Sequence, residues 1–292
     1  MDYIEIVPGL SLVSGENKGR FPFAHSFLIE SDLRVLIDTG CGEKAIAQLQ
    51  LKKPIDWVIC SHGHPDHSAL NWKFQGKPIY APQYGAETFG NFDLLGERFT
   101  EPGDLAQEWR GFVAATMKFK TALPTHTFGD GQVFDFGKIK LTAIHTPGHT
   151  IDHTCFFEPT HGIVFSFDID LTTFGPWYGH RESDITQFEE SIRKVMALQP
   201  RMIVSSHKGI ITDHCADRLQ RYLDVFTARD RLLVELLPRA QTIDELVNLS
   251  PIYQSYPFAD KLLRYWEAQM IRMHLRRLVD RGEIIGLDLN QV

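Results

Sequence analysis

Paired cysteines are missing from this chain of 292 residues. Its four cysteines (Cys41, Cys60, Cys155 and Cys215) are scattered, with no C-x-x-C pair. That spacing argues against a disulfide framework and fits a reducing compartment. Cys60 and Cys155 lie in apolar, strand-like runs and read as buried filler. Long hydrophobic runs are also lacking. Nothing reaches the roughly 18 uncharged apolar residues of a membrane span, so none is expected. The N-terminal Met1-Asp2-Tyr3-Ile4-Glu5 is acidic and has no basic region followed by an apolar core, so no signal peptide is expected and a cytoplasmic location is. Positive charge is in short supply. A net charge of −7 and a pI near 6.0 argue against a general nucleic-acid binder while leaving room for a local patch. There is no G-x-S-x-G, so a serine hydrolase would lack its nucleophile elbow. There is no G-x-x-x-x-G-K-[ST] or G-x-G-x-x-G, so a phosphate-cradling nucleotide fold has no support. No internal repeat or low-complexity segment is visible.

What remains is an ordinary globular composition, 43% hydrophobic and 23% charged, in a chain long enough for one large domain or two. Its most informative stretch is Ser61-His62-Gly63-His64-Pro65-Asp66-His67. Four strong metal ligands fall within six positions, directly after the apolar run Trp57-Val58-Ile59-Cys60. Neutral imidazole and carboxylate suit zinc, iron and related ions. A loop at the end of a rigid strand is where such groups can converge. The spacing is too dense for one tetrahedral ion that also draws ligands from elsewhere, and it predicts two neighbouring metals.

Further polar residues follow apolar stretches in the same manner. Asp38 sits in Ile37-Asp38-Thr39-Gly40, His149 in Thr146-Pro147-Gly148-His149-Thr150, Asp168 after Val164-Phe165-Ser166-Phe167, and His207 after Met202-Ile203-Val204-Ser205-Ser206. These motifs, in this order over about residues 1–210, resemble those of the metallo-β-lactamase superfamily, including its glyoxalase II-like metal-dependent hydrolases. The resemblance implies that His62, His64 and His149 hold a first metal, that Asp66, His67 and His207 hold a second, and that Asp168 bridges them. Zinc is the expected metal, with iron or manganese as alternatives. Asp168 stands in Ser-Phe-Asp where many relatives have Ser-Gly-Asp. Asp170, two residues on and on the same strand face, is its competitor. Asp38 is expected to orient the ligand loop through hydrogen bonds, and His153 to lie behind the metals or against substrate. Trp177, Tyr178 and His180, in an aromatic loop after Asp168, are candidates for the substrate pocket, with plain packing as the competing reading.

The resemblance also implies an αββα sandwich, which suits the strands and helices read from the pattern. Strands are expected near 26–29, 33–37, 56–60, 133–136, 139–145, 153–157, 162–167 and 201–205, and a short helix at about 43–52. Apolar spacing predicts a helix over 184–198, opened by Asp184 and followed by Pro200. An aromatic-rich insertion at about 84–123 carries a helical piece near Leu105–Lys118. The catalytic domain is taken as 1–214. Beyond it, 215–292 reads as a mainly helical module resembling a winged helix. It has a capping box at Thr242-Ile243-Asp244-Glu245, a long helix over 259–280 and a small hairpin expected from Glu283-Ile284-Ile285-Gly286. Arg272, Arg276, Arg277 and Arg281 share the long helix. With equal numbers of acidic and basic side chains in the module, a salt-bridged helix face is favoured over a phosphate patch.

Asp168 takes the place where antibiotic-hydrolysing zinc enzymes typically carry cysteine, and that argues against a true β-lactamase. The expected function is hydrolysis of a small ester, thioester or lactone by a metal-bridging hydroxide, with Asp66 both ligand and orienting group. Two alternatives stand beside it. One is a metal-dependent nuclease or phosphodiesterase, and the other a mononuclear iron oxidoreductase of the persulfide dioxygenase type. A small-molecule substrate and no membrane partner are expected, and the oligomeric state is left open.

Overall fold

The structure, a computed structural model, describes residues 3–284. Two twisted sheets face each other. The seven-stranded sheet runs in sequence order through β1 (Tyr3–Val7), β2 (Leu10–Val13), β3 (Ser26–Glu30), β4 (Arg34–Ile37), β5 (Trp57–Ile59), β6 (Ile79–Pro82) and β7 (His126–Phe128). It is antiparallel from β1 to β4 and parallel from β4 to β7. The six-stranded sheet contains β8 (Val133–Asp135), β9 (Lys140–His145), β10 (Thr154–Glu158), β11 (Ile163–Phe167), β12 (Met202–Ser205) and β13 (Gly209–Ile211), likewise in consecutive order. Only β11 and β12 pair in parallel within it.

The strand residues alternate between two cores. Leu10, Leu12, Phe27, Ile29, Val35 and Ile37 of the first sheet meet Phe134, Phe136, Phe156, Phe165 and Phe167 of the second. Their neighbours Leu28, Leu36 and Val58 face outward onto helices. With both faces covered, these strands read as near-continuous apolar runs and not as alternating ones. The first sheet is covered by α1 (Glu43–Lys52), and the ligand loop ends in the single turn α2 (Pro65–Ser68). The insertion folds as α3 (Phe92–Phe99) and α4 (Asp104–Met117). The helix α3 was not expected from sequence. Asn91, a residue type that commonly interrupts helices, is its cap, accepting a hydrogen bond from the Leu94 amide, and Gly96 is tolerated in its interior. Phe99, Trp109 and Val113 join the outer core of the first sheet.

The second sheet is covered by α5 (Ile185–Ala197), whose cap Asp184 accepts from the amides of Thr186 and Gln187. The remaining described chain is helical: α6 (Cys215–Leu236), α7 (Ile243–Leu249) and α8 (Asp260–Asp280). The capping box at Thr242 and Glu245 is present. The expected hairpin falls partly on residues 285–286, outside the described residues. Leu262, Leu263 and Trp266 of α8 pack with the insertion, while Met270, Ile271 and Leu275 pack with Leu219, Phe226 and the outer face of the second sheet. Helix α8 therefore joins both outer layers.

Arg272, Arg276, Arg277 and Arg281 do not form one surface. Arg276 and Arg281 are exposed, whereas Arg277 is buried and ion-paired to Glu189 of α5 and Asp230 of α6. Asp230 also accepts from His274 Nδ1 at 2.6 Å. His274 Nε2 lies 2.6 Å from the Tyr178 hydroxyl, and Arg229 donates to that hydroxyl and to the carbonyls of Phe174 and Pro176. This buried network ties the loop 174–178 to the C-terminal helices. Removing one member of a buried ion pair leaves the others uncompensated. Arg277→Met is accordingly expected to lower unfolding stability by about 3–5 kcal/mol, measured by denaturant titration. A loss below about 1 kcal/mol, the scale of a surface pair, would show the network to be dispensable.

Candidate metal centre

Ligand residues leave the ends of β4, β5, β11 and β12 and the turn after β9, so the two sheets deliver them to one edge of the sandwich. Asp38 follows β4 with a left-handed backbone (φ 58°). Its carboxylate accepts from the Ser61 amide (2.7 Å), the Ser61 hydroxyl (2.7 Å) and His67 Nδ1 (2.8 Å). One buried carboxylate thus sets both ends of the ligand loop. Gly40 is required beside it, because a Cβ there would stand 2.0 Å from the Asp66 carbonyl oxygen. Gly148, at φ 124°, lets the turn before His149 press against Phe188. A register shift between Phe165 and Phe167 and the left-handed Phe167 aim Asp168 into the site.

Two groups of ligand atoms result. His62, His64, His149 and Asp168 form one, and Asp66, His67 and His207 the other. Asp168 links them. Its Oδ2 lies 3.2 Å from His149 Nε2, 3.8 Å from His62 Nε2 and 4.0 Å from His64 Nδ1. Its Oδ1 lies 3.0 Å from His67 Nε2 and 3.6 Å from His207 Nε2. Asp66 Oδ2 is 3.5 Å from His207 Nε2 and 3.9 Å from His67 Nε2. Ligands bound at about 2.0–2.2 Å in tetrahedral geometry stand roughly 3.3–3.6 Å apart, close to these separations.

The outer hydrogen bonds decide which ring nitrogens point inward. His67 Nδ1 donates to Asp38, His149 Nδ1 to the Trp177 carbonyl (2.8 Å) and His207 Nδ1 to the Gly19 carbonyl (2.7 Å). His62 Nδ1 donates to the Ser61 hydroxyl (2.9 Å), whose proton is given to Asp38. His64 is turned the other way, its Nε2 donating to His180 Nε2 (3.0 Å). In the neutral tautomers that a metal requires, with those protons outward, every inward atom is an acceptor. His62 Nε2, His67 Nε2 and Asp168 Oδ1 are buried without a hydrogen-bond partner. His149 Nε2 and His64 Nδ1 face each other at 3.1 Å as two lone pairs. Convergent acceptors without donors repel one another unless cations lie between them, so the residues present fit divalent metal ions.

Burial shapes the same groups. It pushes His62 and His64 well below the usual histidine range, keeping them neutral as ligands must be. For His67 and His207 burial acts in the same direction, but the carboxylates of Asp168 and Asp66 outweigh it. His67 is held well above its usual range and His207 at about 9. The two carboxylates thus favour a proton on each inward Nε2, which a bound metal would replace.

The other predicted residues separate. His153 does not join either group; its Nδ1 donates to the Thr146 carbonyl and its Nε2 accepts from the Asp168 amide (3.2 Å), so it supports Asp168 from behind. Asp170 lies outside both groups and accepts from the Tyr222 hydroxyl (2.9 Å) and from Thr172. Tyr178 is fully buried in the Arg229–His274 network and does not line the cavity above the ligands. Trp177 does line it, and His180 touches His64 from the side.

That cavity measures about 550 Å³, and Asp66, Asp168, His64, His149 and His207 open onto it. Phe99, Trp109, Phe112, Val113 and Met117 from the insertion and Tyr253, Phe258, Leu263 and Trp266 from the C-terminal helices complete its wall. Phe21 and Phe258, about half exposed at the mouth, stack on Phe112 at 6.2 and 6.3 Å. From sequence the C-terminal module is expected to brace the hydrolase and shape its mouth, but none of its wall residues is named as such, nor is a role for Ser61 or for the carbonyls of Gly19 and Trp177. Ser61 is adjacent to the ligand motif; backbone carbonyls carry no sequence signal.

Comparison with known proteins agrees with this arrangement. The profile of the "Metallo-beta-lactamase superfamily" matches residues 19–207. A Drosophila melanogaster protein named "Beta-lactamase-like protein 2 homolog" is 22% identical over 258 residues, covering 86% of this chain and 80% of its own. An Emericella nidulans "Atrochrysone carboxyl ACP thioesterase" is 24% identical over 287 residues, covering 90% and 80%. Among solved structures, a metallo-beta-lactamase family protein from Thermus thermophilus superposes with a TM-score of 0.74 at 20% identity, over 95% of both chains.

The His64–His180 contact yields a test. His180→Ala is expected to weaken uptake of a divalent ion at the group formed by His62, His64, His149 and Asp168 by about tenfold, read by competition against a chromophoric chelator. Unchanged uptake would mean that His64 keeps its orientation without this partner.

Proposed function

The chain is an enzyme of the metallo-β-lactamase superfamily, and we propose that it hydrolyses a small ester or thioester at a dinuclear metal site, with zinc as the metal. The observation that carries the reading is the pair of acceptor clusters sharing Asp168 at the floor of an aromatic cavity. In it His62, His64 and His149 would hold one ion and Asp66, His67 and His207 the other, with Asp168 between the two groups. Two such ions when bound supply a Lewis acid and water acidified toward neutrality.

The chain's own residues do the rest. Asp66 opens onto the cavity, and its carboxylate orients the attacking water. The cavity wall desolvates the acyl group and holds its carbonyl over Asp168, which strengthens every electrostatic interaction there. The wall is built for a compact apolar group on the substrate: its rings approach the ligands closely, with Phe99 4.7 Å and Trp177 5.9 Å from the His64 ring. The thioesterase name of the Emericella relative supports the thioester within this class.

Elemental analysis of protein purified without added metal is expected to give about two zinc ions per chain, with hydrolysis of a thioester or ester in a panel that also holds a lactone and a phosphodiester. Asp168→Ala is expected to reduce turnover at least about 100-fold and to lower metal content. One iron and no hydrolysis, or full turnover in Asp168→Ala, would overturn the reading.

A further inference from the structure

The cavity reaches residues of both ligand groups. Its aromatic wall stands over the first cluster. The His64 ring is 4.7 Å from Phe99, and Trp177 is 5.7 Å from His149 and 5.7 Å from Trp266, while Phe99 stacks on Trp109 at 4.3 Å. The part of the cavity beside His207, a candidate ligand of the second group, carries two cations. His207 Nδ1 donates to the Gly19 carbonyl at 2.7 Å. The next residue along each segment of this contact is Lys208 on one side and Arg20 on the other. One hydrogen bond between loops therefore brings both cations to the same edge of the cavity, which both line.

Neither cation has a structural use for its charge. Both are exposed, and no carboxylate lies within ion-pair distance of either among the described residues. The cavity's third carboxylate, Asp170, is engaged by Tyr222 and Thr172. In a chain with net charge −7, two unpaired cations beside an acidic site give that edge an affinity for anions.

We propose that Arg20 and Lys208 form an anion-recognition site, and that the substrate carries an aromatic or bulky apolar group on one side of the scissile bond and an anionic group, carboxylate or phosphate, on the other. This rests on the hydrolase reading for the bond that is cut. The scissile carbonyl lies over Asp168, the apolar arm against Phe99 and Trp177, and the anionic arm against Arg20 and Lys208. Recognition at both ends sets the register of the bond over the ligands, which neither end would do alone.

The test uses ligands with no ester, thioester or phosphate-ester bond: 3-(2-naphthylmethylthio)propionate, the neutral alcohol 3-(2-naphthylmethylthio)propan-1-ol, and the corresponding phosphonate. Each is titrated calorimetrically into the zinc-loaded protein. At low salt both anions are expected to bind about tenfold more tightly than the neutral alcohol, with the preference shrinking as salt rises. The double variant R20Q/K208Q is expected to bring the preference down to about twofold or less; both residues are exposed, so its fold should be intact. Phe112→Ala is expected to weaken all three ligands alike. The tighter of the two anions identifies the group. Equal binding of anionic and neutral ligands, or a preference that survives in R20Q/K208Q, would overturn the proposal. Hydrolysis of the matching naphthoyl thioesters is measured separately. Preference among the thioethers without turnover of any thioester would sink the hydrolase reading and leave the anion site standing.

Discussion

Seven side chains in this protein point acceptor atoms at one small buried region, and the rest of the structure is organised around holding them there. Imidazole nitrogens and carboxylate oxygens with no donors between them repel. Left to themselves, the rings would rotate to find protons or water. What prevents this is the far nitrogen of each ring, fixed by Asp38, Ser61, His180 or a backbone carbonyl. Each of these bonds settles a tautomer and an orientation together, which is how an outer partner tunes a metal ligand.

The partners come from distant parts of the chain, so the site depends on the packing of whole layers. Asp38 lies at the end of a strand in the first sheet, and the Gly19 carbonyl on a loop that crosses to the second sheet. The Trp177 carbonyl belongs to a loop anchored by Arg229, Tyr178 and His274 to helices α6 and α8. Through this chain of contacts, the C-terminal helices reach His149 without touching it. They also roof the cavity with Tyr253, Leu263 and Trp266. Their role in the site is thus structural support on one side and substrate contact on the other, while the buried pairing of Arg277 removes one arginine from any surface patch.

The same architecture separates chemistry from selection. The ligand atoms sit on strand ends within the sandwich, where rigid backbone keeps them within fractions of an ångström. The cavity wall is drawn from the insertion and the C-terminal helices, and can vary without disturbing the ligands. Members of one fold can act on different substrates for this reason, and here that wall is strongly aromatic over one cluster and cationic beside the other.

The amino-acid sequence by itself pointed to six of the seven candidate ligands and to the layered fold. Both are written in short-range patterns: a dense His/Asp motif after an apolar strand, a Pro-Gly-His turn, and strand ends that carry single polar residues. Helices with regular apolar spacing, such as 185–197, were legible for the same reason, whereas α3 was hidden by a capping Asn that reads locally as a breaker. Only the tertiary structure decided between Asp168 and Asp170, since residues two apart on a strand are equivalent in sequence until a register shift aims one inward and Tyr222 claims the other. It likewise decided that Tyr178 is an anchor while Trp177 faces the cavity, that His180 supports His64, and that Arg20 and Lys208 meet. Those relations join residues far apart in the chain through packing and backbone carbonyls, and long-range contacts of that kind leave no local pattern to read.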